Sequence, residues 1–220
     1  MSIVRIPVPA ARLTLEALRI GDGIPGAVVA PPHPLYGGHS ANPVVRALAR
    51  GLGERGVTSL AFNWRGIGAS EGRASGELEI ACEDYRAVLE HVSVAVGDTS
   101  RGTSSKGPTP APLIAAGYSF GAATALALAL ADPRITEAVL VAPPVALLPG
   151  RLSVGRESLR IHVIAAENDR FGPPAELESA LSHIAAARFT VIPDADHFFS
   201  SGGTDAIARA AARASEAAYA

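Results

Sequence analysis

The chain of 220 residues contains one cysteine, Cys82, which excludes an intrachain disulfide and any zinc site built on cysteines. Charge is sparse and nearly balanced. Its 19 lysines and arginines are scattered and the formal net charge is −2, so it offers neither a nucleic-acid footprint nor a polybasic membrane patch. Long apolar runs are missing as well, since stretches such as ATALALALA are too short to span a bilayer. The opening MSIVRIPVPAARLTLEAL lacks the apolar core of a signal peptide and is broken by Pro7 and Pro9. These absences predict a soluble, cytoplasmic protein that engages no membrane and no nucleic acid. With 48% hydrophobic residues, the composition suits one well-packed domain over residues 1–220.

Short apolar, β-branched runs alternate with longer helical patterns. LTLEALRI and GAVVAPP read as opening strands. ANPVVRALARGLGERG then places Val44, Val45, Leu48 and Leu52 on one helical side. After the strand VTSLAFN, the helix ELEIACEDYRAVLEHV gathers Ala81, Tyr85, Val88, Leu89 and Val92 on one face, with Glu79, Glu83, Arg86 and Glu90 pointing away. PLIAAGY, EAVLVAPP, LRIHVIAA and RFTVIP read as further strands, and ATALALALA and PPAELESALSHIAA as helices. TDAIARAAARASEAAYA predicts a last helix capped by Thr204 or Asp205. The alternation predicts a mostly parallel sheet with helices on both faces and an antiparallel first edge. GDTSRGTSSKGPTPAP, residues 97–112, has no periodicity and reads as a mobile surface loop.

Two segments fit G-x-S-x-G: GASEG at 68–72 and GYSFG at 117–121. A nucleophilic serine in this pattern sits on a strained turn between a strand and a helix, so that the helix N-terminus and backbone N–H groups face the reacting atoms. GYSFG follows the apolar strand PLIAA and is succeeded at once by the small residues Ala122, Ala123 and Thr124. GASEG follows the polar NWRGI, and no helix begins before about Gly76. Ser119 is therefore the candidate nucleophile and Ser70 a loop residue. GLGERG fits a dinucleotide fingerprint but follows a helix and leads into a strand, the reverse of what pyrophosphate binding requires. GTSSKGPT lacks the Lys-Ser/Thr of a phosphate loop. No cofactor and no metal is expected.

A serine hydroxyl needs a base. Of six histidines, His91 and His183 fall on helical faces and His162 within a strand. His197, in IPDADHFF just past the strand RFTVIP, stands at the edge where parallel sheets collect catalytic groups. The acid that orients it should follow a strand and precede it in sequence, which selects Asp169 in AAENDRFGPP over Glu167, Asp194 and Asp196. Oxyanion donors are expected from the N–H of Phe120 and from PPHPLYGGH, with Leu35 preferred and Tyr36 as the alternative. Pro34 has no N–H to offer.

PHPLYGG, FNWRGIGASEG, AGYSFGA, LVAPP, ENDRFGPP and DADHFF together resemble the small serine α/β-hydrolases related to dienelactone hydrolases, in particular the branch similar to the KANL3/Tex30 hydrolase-like domain group. The resemblance covers nearly the whole chain. It implies an α/β-hydrolase fold, the triad Ser119, Asp169 and His197, Leu35 as the matching oxyanion donor, and a non-catalytic loop at RGIGASEG. Dienelactone hydrolases proper use a cysteine nucleophile, so their lactone specificity does not carry over to a chain with serine at the elbow. The interval PPVALLPGRLSVGRES is too short for a lid domain. An open site is expected, bordered by Tyr36, His39, Tyr118, Phe120, Phe198 and Leu147 or Leu148. The expected activity is hydrolysis of a small ester or thioester through an acyl-enzyme, with an idle binding scaffold or an amide hydrolase as alternatives.

Overall fold

The computed structural model describes residues 1–23, 25–100, 113–148, 159–182, 184 and 187–214. Eight strands form one sheet: β1 (Ser2–Val8), β2 (Leu13–Ile20), β3 (Pro25–Ala30), β4 (Thr58–Phe62), β5 (Leu113–Tyr118), β6 (Ile135–Val141), β7 (Arg160–Ala166) and β8 (Ala187–Ile192). Their spatial order is β1-β2-β4-β3-β5-β6-β7-β8. From β4 across to β8 all neighbours are parallel, while β2 is antiparallel to both β1 and β4. This is the α/β-hydrolase fold.

Among the described residues five helices cover the sheet: α1 (Pro43–Glu54), α2 (Leu78–Ser100), α3 (Phe120–Ala131), α4 (Pro174–Leu181) and α5 (Thr204–Arg213). Strand alternation divides the apolar side chains between two cores. Val28, Ala30, Leu113, Ala115, Ile161 and Val163 face α2, α3 and α4, whereas Ala27, Val29, Ile114, Ala116, Ile164 and Ala166 face α1 and α5. Both faces of the central strands are therefore apolar. Asn42 caps α1 by accepting the N–H of Val44 at 2.8 Å, and Pro43 occupies the first helical position, where no N–H is needed. The predicted inward face of α2 is buried throughout, and the Tyr85 hydroxyl lies 2.9 Å from both the Val28 oxygen and the Ala116 nitrogen.

Four features differ from the sequence reading. The sequence reading begins the strands at LTLEALRI, yet residues 2–8 form β1, whose Pro7 is tolerated because β1 lies at the edge of the sheet. The antiparallel edge consequently pairs β1 with β2, and LTLEALRI lies beside β4 rather than β3. Helix α2 runs on through residues 97–100, which were expected to open the surface loop; residues 101–112, with GTSSKGPT, lie outside the described residues. Helix α5 starts after Gly203 at φ +100°, a backbone that glycine adopts freely, and Asp205 pairs with Arg50 on α1 instead of capping.

Of the GLGERG glycines, Gly51 serves packing. A β-carbon on Gly51 would fall 2.3 Å from the Ala208 carbonyl oxygen, so the residue lets α1 cross α5 closely. β6 ends at Val141 and β7 begins at Arg160, an interval without room for a lid domain. Among the described residues no helix is long and apolar enough to cross a membrane.

Candidate active site

β5 is buried along its whole length and delivers the chain straight into Ser119, whose backbone lies at φ +55° and ψ −120°. Such a conformation costs about 1–3 kcal/mol and persists only where its surroundings enforce it. Here the Ser119 N–H donates to the Val141 oxygen at 2.8 Å, and its carbonyl accepts the N–H of Ala122 at 2.9 Å as α3 begins. The flanking glycines are sterically required. A β-carbon on Gly117 would fall 2.3 Å from the Gly121 oxygen, and one on Gly121 would fall 2.4 Å from the Pro31 oxygen.

The loop after β8 brings His197 to this turn. Ser119 Oγ lies 2.9 Å from His197 Nε2, and His197 Nδ1 lies 2.8 Å from Asp169 Oδ2. The carboxylate is an acceptor only, so Nδ1 carries the proton and Nε2 presents a lone pair to the serine hydroxyl. The other oxygen, Asp169 Oδ1, accepts the N–H groups of Phe171 at 2.8 Å and Gly172 at 3.1 Å. Ser119, Asp169 and His197 are 8%, 3% and 7% exposed, dry enough to strengthen these bonds while leaving a path to solvent.

Supporting contacts hold the two loops together. The Asn168 N–H donates to the Ala195 oxygen, and the Asp194 N–H to Glu167 Oε2, both at 2.8 Å. The Tyr118 hydroxyl donates to the His197 carbonyl at 2.9 Å, and burial pushes its phenol well above the ordinary range, so it remains a donor. Expected as a substrate-facing residue, Tyr118 is instead buried beneath the histidine loop. Asp196 is occupied with the Ser200 N–H at 2.9 Å, which holds its carboxyl below the usual range.

On the opposite side of Ser119, Trp64 Nε1 donates to the Pro32 carbonyl at 2.9 Å and anchors the segment expected to supply an oxyanion donor. Pro34–Tyr36 make a short 3₁₀ turn capped by His33, whose Nδ1 accepts the Leu35 N–H at 3.2 Å. The Tyr36 N–H donates to the His33 carbonyl at 3.1 Å. Both N–H groups named from sequence are thus engaged, a consequence of the turn that the residue pattern alone did not disclose. The His33 ring sits 4.7 Å from that of Tyr36 and 4.8 Å from that of Phe120, and burial lowers its pKa, favouring the neutral ring that can accept. Phe120 is the first residue of α3, where the helix itself offers its N–H no acceptor.

Of the expected rim, Tyr36, His39 and Phe198 are exposed, Leu147 and Leu148 are half-buried against the core, and the Phe120 side chain is buried in it. The sequence reading missed Phe171. Its ring is exposed and 4.7 Å from the His197 imidazole; the segment ENDRFGPP contains it, but sequence reasoning singles out only Asp169 there. Beyond Leu35 a groove of about 710 Å³ runs between Leu13, Arg73 and Ile80. Ser70 lies elsewhere, buried, donating to the Asn63 oxygen at 2.8 Å and accepting the Glu16 N–H at 2.9 Å. His162 sits 3.0 Å from the Thr190 hydroxyl within the sheet, and His183 lies outside the described residues. No group of three or more metal-ligating side chains occurs among the described residues.

The family model described as Serine aminopeptidase, S33 (Hydrolase_4) matches residues 35–154, more than half of the chain. An α/β serine hydrolase homologue from Coxiella burnetii is 26% identical, with a TM-score of 0.77 over 96% of each chain. An α/β serine hydrolase without lid from Xanthomonas campestris is 24% identical, with a TM-score of 0.76 over 98% of this chain and 94% of that one. An uncharacterised protein from Rickettsia prowazekii is 29% identical over 189 residues, covering 80% of this chain and 72% of the relative.

Proposed function

The chain belongs to the Serine aminopeptidase, S33 family, and from that premise we propose that it cleaves small carboxylic esters or thioesters through an acyl-enzyme on Ser119. The observation that carries this reading is the unbroken line Ser119 Oγ, His197 Nε2, His197 Nδ1, Asp169 Oδ2, with steps of 2.9 and 2.8 Å between residues. This spacing suits a serine nucleophile, an imidazole base and an orienting carboxylate.

In the first half-reaction His197 Nε2 takes the Ser119 proton as the oxygen attacks the substrate carbonyl. Negative charge develops on the carbonyl oxygen in front of the Phe120 N–H. The Leu35 N–H, held at 3.2 Å by His33, is a long bond that an oxyanion can share or replace. The imidazolium, stabilised by Asp169, then gives its proton to the leaving group, and the C–O or C–S bond breaks. In the second half-reaction His197 takes a proton from water, hydroxide attacks the acyl-enzyme, and the proton returns to Ser119 as the acid departs.

The open rim and the slight exposure of Ser119 and His197 favour small, accessible substrates over long acyl chains. The family's description favours a second reading, amide or peptide cleavage by the same groups. Motif order supports the finer placement among dienelactone-hydrolase relatives close to the KANL3/Tex30 group. Hydrolysis of a short p-nitrophenyl ester should vanish in Ser119→Ala, and rates on matched esters, thioesters and amides separate the two readings. An enzyme that turned over the amides alone would overturn the ester assignment.

A further inference from the structure

His197 must hand its proton to the departing oxygen, so the alcohol half of any ester rests beside Nε2 during bond cleavage. What surrounds this imidazole therefore selects the leaving group. Two phenyl rings do: Phe171, centred 4.7 Å away at 54°, and Phe198, centred 5.2 Å away at 90°. The two rings lie 6.3 Å apart and nearly perpendicular, forming an open wedge at the histidine.

Both side chains are 55% and 65% exposed, although their backbones are well tied down. The Phe171 N–H is bonded to Asp169 Oδ1 at 2.8 Å and its carbonyl accepts the Val145 N–H at 2.9 Å. Phe198 lies between His197, whose carbonyl holds the Tyr118 hydroxyl, and the buried Phe199, whose N–H is bonded to the Asp196 carbonyl. Two large apolar side chains exposed side by side form a continuous apolar surface, the kind that marks a recognition site. The wedge is apolar, aromatic and packed against the imidazole that delivers the proton.

We propose that Phe171 and Phe198 form a leaving-group subsite that selects esters whose alcohol portion carries an aromatic ring. This inference rests on the hydrolytic reading above. A phenyl body entering the wedge meets one ring edge-on and the other face-on, the arrangements aromatic pairs prefer.

The test compares benzyl acetate with ethyl acetate, which share an acyl group and both release an alcohol. For each, kcat/KM is measured in the parent protein, Phe171→Ala, Phe198→Ala and the double variant, with thermal unfolding and labelling by a fluorophosphonate as controls for folding and for the nucleophile. The parent should prefer the benzyl ester by about tenfold or more, and the double variant should lose about that factor on the benzyl ester with ethyl acetate changed less than about threefold. Equal losses on both esters would make the rings a shield for the His197–Asp169 pair and overturn the inference, as would no loss on either. A parent protein inert to both esters and to the fluorophosphonate would defeat the hydrolytic reading and this one with it.

Discussion

His197 Nε2 lies 2.9 Å from Ser119 Oγ across 78 positions of sequence. Neither residue reaches the other by local structure. The serine is fixed by the turn from β5 into α3, and the histidine by a loop after β8 that Tyr118 supports from below. Because Tyr118 directly precedes Ser119, one turn positions the Ser119 hydroxyl with its backbone and the His197 loop with a neighbouring side chain.

Asp169→Asn should leave the fold intact and lower kcat by about 10⁴. The two N–H groups of Phe171 and Gly172 require an acceptor, so the amide oxygen takes the place of Oδ1 and the NH₂ group faces His197 Nδ1. That donor forces the proton onto Nε2, where it cannot accept from Ser119. Steady-state rates beside a thermal melt check this; unchanged kcat would refute the assigned tautomer.

Ser70→Ala should do the reverse. It strands the Asn63 carbonyl and the Glu16 N–H inside the protein, a loss of about 1–3 kcal/mol in stability, while turnover per folded molecule stays near the parent value. Denaturant midpoints and active-site titration separate the two quantities.

His33 caps the turn that carries Leu35, and asparagine caps helical turns at least as well. His33→Ala should lower kcat on the order of tenfold with little change in KM, through a loosened oxyanion donor, and His33→Asn should restore most of it. Equal activity in the two variants would show that the cap is irrelevant to turnover.

Stability should fall on acidification through His162. Burial lowers its pKa from 6.5, so below that value the unfolded chain binds a proton that the native state refuses, and unfolding is favoured as pH drops. His162→Gln keeps a partner for Thr190 and cannot titrate. Urea unfolding at pH 7.5 and 5.5 should show a smaller decrease for the variant; equal decreases would place the acid sensitivity elsewhere.

The fold was legible because central strands buried on both faces read as continuous apolar runs, as in LIAAGY of β5 and AVLV of β6, while α2 shows a clean helical stripe. That Ser119 rather than Ser70 would stand at a strand-to-helix turn was legible because GYSFG alone follows an apolar strand and leads directly into a helix. β1 was not, since a proline discredits a strand unless it is known to lie at an edge, and edge position is a tertiary fact. Phe171 escaped for a related reason: its importance comes from the histidine that packs against it, 26 positions further along the chain, and not from its sequence neighbours. The bond from Leu35 N–H to His33 depends on side-chain rotation, which residue order does not encode.

The most direct test is mass-spectrometric mapping of the protein after brief treatment with a fluorophosphonate. One adduct per chain should form, on the peptide carrying Ser119, and both Ser119→Ala and His197→Ala should abolish it. Rapid labelling at Ser70, or a parent protein that stays unmodified, would contradict the account.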